Sequence, residues 1–258
     1  MGWDLVVGFA FGVVIATLTA PVGVSGAVFL LPVQISVLNV PSPSVTPTNL
    51  LYNVVAVPGA LARYRRAGRL WTELTRRLLT GTIPGVVVGA LVRVYLLPSG
   101  TLFKVLVALF LLPLGLWLAV RDQRPSRRTT PFAPRTVTAL GLGAGLVGGI
   151  YGIGGGSLLA PVLAASGYLL AEVAPAALMS TFVTSCVGAA TYGVLALTGR
   201  QGAGPHWALG IACGLGGLVG GYLGASLQPR LPQRALRLLL GVLAIALSVA
   251  YLVEAART

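Results

Sequence analysis

The residues best placed to do chemistry in this chain are uncharged. The run Gly148-Gly-Ile-Tyr-Gly-Ile-Gly-Gly-Gly-Ser157 carries glycine at six of its ten positions. Each glycine weakens a helix by about 1 kcal/mol relative to alanine, so a helix should break there. A break followed by a new helix presents backbone N–H groups and a positive dipole end, an arrangement that suits an anion. Candidate binding residues are therefore Gly152, Gly154, Gly155, Gly156 and Ser157, with Gly23, Ser25 and Gly26 at the matching place nearer the N-terminus. The competing explanation is packing, in which the glycines only let helices cross closely.

A second set of polar residues lies downstream of each glycine run. Thr46-Pro-Thr48-Asn49 and Asn53 form the first, and Met179-Ser180-Thr181 with Thr184 and Ser185 the second. Neutral hydroxyls and amides can hold the oxygens of a sulfur or phosphorus oxyanion without trapping it. Asn49 and Asn53 stand four apart, on one helical face, which favours a ligand role. Thr184 and Ser185 serve equally well as helix-to-helix hydrogen bonds. Gln34 is a lesser candidate. His206, Arg93 and Glu172 read as residues at span ends. Cys186 and Cys213 sit in apolar surroundings and make neither a disulfide framework nor a metal site. The chain has no Ser/His/Asp set, HExxH motif or Walker loop, so neither a metal nor a cofactor is expected.

The elements that position these residues must cross a bilayer. Of the 258 residues, 56% are hydrophobic and 9% charged, against about 25% charged in a soluble domain. No charge occurs between Asp4 and Arg63, and a membrane-crossing helix needs only about 20 residues. The formal charge of +13 falls in short clusters between apolar runs, which points to membrane topology rather than nucleic acid. The expected fold is an all-α polytopic membrane protein with the lipid bilayer as its partner.

The chain also repeats itself. Gly23, Gly26 and Pro32 match Gly152, Gly155 and Pro161, and Gly81-x3-Gly85-x3-Gly89 matches Gly216-x3-Gly220-x3-Gly224. Two transmembrane repeats, 1–120 and 136–258, are expected to flank a basic linker at 121–135. Each holds about five segments, giving 8–10 membrane helices, some broken or re-entrant. In the first repeat they lie near 4–20, 24–40, 46–64, 76–97 and 102–120. In the second they lie near 137–150, 154–170, 174–197, 206–227 and 235–253. Basic residues in short loops stay cytoplasmic. An inverted arrangement places fourteen of the 18 Lys/Arg inside, whereas parallel repeats place twelve. Inverted repeats with both termini outside are the expectation. Trp3, Trp71, Trp117 and Trp207 fall at span ends, at headgroup level. The three glycine stripes, Gly141/145/149 included, should let backbones approach closely.

At Gly149–Pro161, with its looser copy at Ala20–Pro32, the sequence resembles the sulfite exporter TauE/SafE family of bacterial membrane proteins. The likeness extends to Met179-Ser180-Thr181 and to the basic loop Tyr64–Trp71, and so covers nearly the whole chain. It implies a multi-pass protein of the bacterial inner membrane that moves sulfite, sulfonates or related organic anions. The reading reached is a secondary transporter of a small anion, not an enzyme, with alternating access at a central site between the repeats. An anion channel and an intramembrane enzyme are the alternatives.

Overall fold

The computed structural model describes residues 2–38, 40, 42–66, 68, 70–95, 112–113, 115–116, 119–120, 132–197 and 204–256. The linker residues 121–131, the Leu97-Pro98 turn, Arg69, Lys104, Trp117, Arg200 and most of the segment at 102–120 lie outside them. Among the described residues there is no strand. The helices are α1 (Gly2–Thr19), α2 (Ala27–Ser36), α3 (Ser42–Arg66), α4 (Glu73–Tyr95), α5 (Pro134–Tyr151), α6 (Leu159–Ala165), α7 (Leu170–Leu197), α8 (Trp207–Leu227) and α9 (Gln233–Ala256). The protein is an all-α polytopic membrane protein. Among the described residues, five helices are long and apolar enough to cross a bilayer, namely α1, α4, α7, α8 and α9. Helix α3 has 25 residues but carries buried Asn49 and Asn53 and basic residues in its last turn.

Local chemistry accounts for the boundaries. Thr72 accepts the N–H of Thr75 at 3.2 Å and starts α4, and Glu73 in its first turn complements the helix dipole. Pro134 opens α5 at a position where its missing N–H costs nothing. Both α1, through a short 3-10 turn at Ala20–Val22, and α5 end on a left-handed glycine. These are Gly23 at φ 80° and Gly152 at φ 70°, a conformation that penalises any side chain.

The segments following those glycines are short. Helix α2 has 10 residues and α6 has 7, or about 15 and 10 Å at 1.5 Å per residue. Neither spans about 30 Å of hydrocarbon. The segments expected near 24–40 and 154–170 are therefore broken, with helix over only part of each.

Neighbouring residues give the helix directions. Gly8 faces Cys213 and Gly224 faces Thr17, so α1 and α8 run parallel. Gly81 lies on Thr138 and Gly89 on Leu146, so α4 and α5 run parallel. Gly210 meets Leu51 and Gly221 meets Ala60, making α3 parallel to α8. By contrast Leu50 meets Gly188, while Leu61 clusters with Ala174 and Leu178. Helices α3 and α7 thus run antiparallel. The pairing is also reciprocal: the first helix of each half packs on the fourth segment of the other. The glycine stripes mediate both contacts, as their spacing predicts, because a Cβ at Gly85 would lie 2.8 Å from the Leu146 nitrogen.

These directions bring the basic residues to one face. Arg63, Arg65 and Arg66 end α3, Arg76 and Arg77 begin α4, Arg135 begins α5, Arg230 follows α8, and Arg234 lies in the first turn of α9. Arg66 donates to the Tyr222 hydroxyl at 3.1 Å, tying the α3 and α8 ends together. Arg93 lies at the other end of α4. Trp3, Trp71 and Trp207 are 76%, 63% and 63% exposed at helix starts, where indole meets headgroups.

Candidate functional site

The two breaks meet in the interior. The Ser25 N–H donates to Ser157 Oγ at 3.1 Å, and the Ser157 hydroxyl itself donates to the Ile153 carbonyl at 3.1 Å. Asn53 joins both breaks. Its Oδ1 accepts from Ser25 Oγ, and its Nδ2 donates to the Gly152 carbonyl at 3.3 Å. One helical turn earlier, Asn49 Nδ2 donates to the Ala27 carbonyl at 3.2 Å, at the start of α2. Thr46 donates to the Ile150 carbonyl at 3.2 Å. The four-residue spacing of the asparagines thus places Asn53 at Ser25 within the first break and Asn49 at Ala27 just after it, as a shared helical face requires. Ser25, Asn49, Asn53 and Ser157 are all at most 2% exposed.

On the second-half side, hydroxyls pair with one another. Ser180 and Thr82 lie 2.9 Å apart, and Thr181 lies 3.3 Å from Ser157 Oγ. The Gly155 N–H donates to Thr184 Oγ1 at 3.2 Å, and Thr184 in turn donates to the Ser180 carbonyl at 2.7 Å. The N–H of Gly155 therefore already has a protein acceptor.

The glycines are packed hard against neighbours. A Cβ on Gly156 would overlap the Ala177 carbonyl oxygen, and one on Gly155 would stand 3.0 Å from Thr82 and Gly145. Gly23 and Gly26 admit none either, meeting Ala174 and the Tyr52 hydroxyl. These glycines are packed against neighbouring backbone and side chains at the crossing.

Of the residues singled out from the sequence, the structure gathers Ser25, Asn49, Asn53, Gly152, Gly154, Ser157, Ser180 and Thr181 around the crossing. Gly23, Gly26, Gly155 and Gly156 form its walls. Thr48 belongs elsewhere: its hydroxyl donates to the Ser44 carbonyl at 2.6 Å and accepts the His206 N–H at 2.9 Å, at the start of α8. Thr82 reads in the sequence as part of the α4 stripe, directly beside Gly81. Tyr52, 1% exposed, reads there as one more core aromatic between the two asparagines. His206 is exposed and precedes α8, in keeping with a span-end residue.

The paired glycine breaks and the polar third helices form one continuous pattern along the chain. A family profile described as "Sulfite exporter TauE/SafE" matches residues 8–251. The chain belongs to the sulfite exporter TauE/SafE family. No curated protein and no solved structure matches it. For a TauE/SafE protein, both breaks, both asparagines and the α7 hydroxyls fall inside the matched span, as do all the helix contacts described. Family membership makes the protein a membrane transporter of sulfite or a related anion.

Proposed function

We propose that this TauE/SafE protein is a secondary transporter of small sulfur-containing anions, sulfite or sulfonates, working by alternating access where the two breaks cross. The observation that carries this reading is Asn53, which bonds Ser25 in one break and Gly152 in the other. A ligand inserted there would compete for the bonds that hold the two breaks together, so binding and relative movement would be coupled. The local donors are hydroxyls, amides and backbone N–H groups, which bind an oxyanion without reacting with it. That chemistry favours transport over catalysis.

The antiparallel run of α3 and α7 supports two inverted repeats, 1–120 and 136–258, joined by 121–135 and rocking against each other. The clustered arginines make their face cytoplasmic, with the N-terminus outside, in a bacterial inner membrane. A central site between inverted repeats with interrupted helices suits this class of transporter. Sulfite should raise the melting temperature of the purified protein with concentration, since a ligand bound only by the folded state adds about 2.7 kcal/mol at a hundred times Kd. A cysteine at Gln123 should label only from the cytoplasm and one at Gln201 only from outside. No oxyanion response, or labelling of both on one face, contradicts the reading.

A further inference from the structure

A cavity of about 20 Å³ lies beside the crossing, bordered by Thr19, Val24, Ser25, Gly26, Tyr52 and Gly217. It has room for one oxygen-sized group. Thr19 and Tyr52 are each 1% exposed, and neither hydroxyl has a hydrogen-bond partner. Buried polar groups are nearly always paired, so two orphaned hydroxyls on one void require an explanation.

The backbone has made space for one of them. A Cβ on Gly217 would lie 2.7 Å from the Tyr52 oxygen, and one on Gly26 would overlap it. At the second break Ser180 is paired with Thr82 at 2.9 Å, and among the described residues Ser185 alone is left without a partner there. Unused donors are therefore found mostly at the first break.

Hydrogen-bond donors, rather than charge, favour one ligand class. Asp4, Glu73 and Glu172 lie in the first turns of α1, α4 and α7, and neither a carboxylate nor a cationic side chain borders the cavity. Two O–H donors suit an oxyanion oxygen.

The geometry points to Tyr52 and Thr19 as donors to one oxygen of the transported oxyanion, with this cavity as the specificity pocket of the site. This rests on the functional reading above.

The test is sulfite titration of the purified full chain by calorimetry, with Tyr52→Phe and Thr19→Val. Tyr52→Phe deletes the hydroxyl, and Thr19→Val replaces it with a methyl group of similar shape that cannot donate. The empty proteins should melt at the wild-type temperature or above it, because an unpartnered buried hydroxyl is lost. Kd for sulfite should rise about tenfold for Tyr52→Phe and about threefold for Thr19→Val. Wild-type Kd in both variants overturns the inference and leaves the transporter reading intact, with the cavity holding only water. If the unsubstituted protein binds neither sulfite nor a sulfonate, the functional reading fails and the pocket with it. Should Tyr52→Phe not fold, Thr19→Val decides alone, and an unchanged Kd overturns the proposal.

Discussion

The two breaks occupy matching places in the chain but differ in what they leave available. At the second, glycine is dense and the hydroxyls of Ser157, Ser180, Thr181 and Thr184 are bonded to one another, to Thr82 or to backbone. Among the described residues, Ser185 is the one buried polar side chain there without a partner. At the first, glycine is sparser, and Thr19, Asn49 Oδ1 and Tyr52 are buried and unpartnered. Glycine density therefore marks where backbones crowd, and unpaired polar atoms mark where a ligand has something to gain. The second break supplies rigidity to a crossing whose free hydrogen-bonding capacity lies mostly in the first.

The largest test of this contrast is Gly156→Val. Its side chain must displace the Ala177 carbonyl, and overpacking a rigid interior costs about 1–3 kcal/mol or more. Size-exclusion chromatography should show loss of the monodisperse protein. A well-folded Gly156→Val would show that the second break is not packed as described.

Next in size is Asn53→Leu, which strands Ser25 Oγ and the Gly152 carbonyl together. Each abandoned buried group costs about 1–3 kcal/mol, so a total of about 2–6 kcal/mol should appear in denaturant melts. Asn49→Leu breaks a single bond, to Ala27, and clears an oxygen that had no partner. It should cost only about 1 kcal/mol yet weaken sulfite binding about tenfold. Equal stability losses for the two would erase the distinction between a joining and a ligand-facing asparagine.

Much of this arrangement was legible in the sequence. Period and charge placed the helices within a few residues: the segment expected at 206–227 is Trp207–Leu227, and that at 76–97 is Glu73–Tyr95. The glycine stripes announced close helix contacts because only absent side chains allow them. The asparagine pair was legible because four-residue spacing fixes a shared face. What stayed hidden depends on partners far along the chain. Thr48 looks identical to its neighbours until His206 is brought to it. Whether the Gly155 N–H is free depends on Thr184, on a different helix. Tyr52 reads as core until one sees that Gly26 and Gly217 have cleared space at its hydroxyl.

The smallest effect sharpens the contrast most finely. Ser157→Ala removes the acceptor of the Ser25 N–H, the one direct bond described between the breaks. It should cost about 0.5–1.5 kcal/mol and reduce transport mildly, read as a rate in reconstituted vesicles. A loss as large as that of Asn53→Leu would place the essential junction at Ser157 instead.

Counterflow in proteoliposomes tests the central claim most directly, because it requires a saturable site that opens to each side in turn. Vesicles preloaded with unlabelled sulfite should transiently accumulate labelled sulfite from outside, with an initial rate that saturates. The overshoot should shrink sharply in Asn49→Leu and persist in Thr48→Val, whose hydroxyl faces α8 rather than the crossing. Uptake that rises linearly with concentration and shows no overshoot would contradict a central alternating-access site.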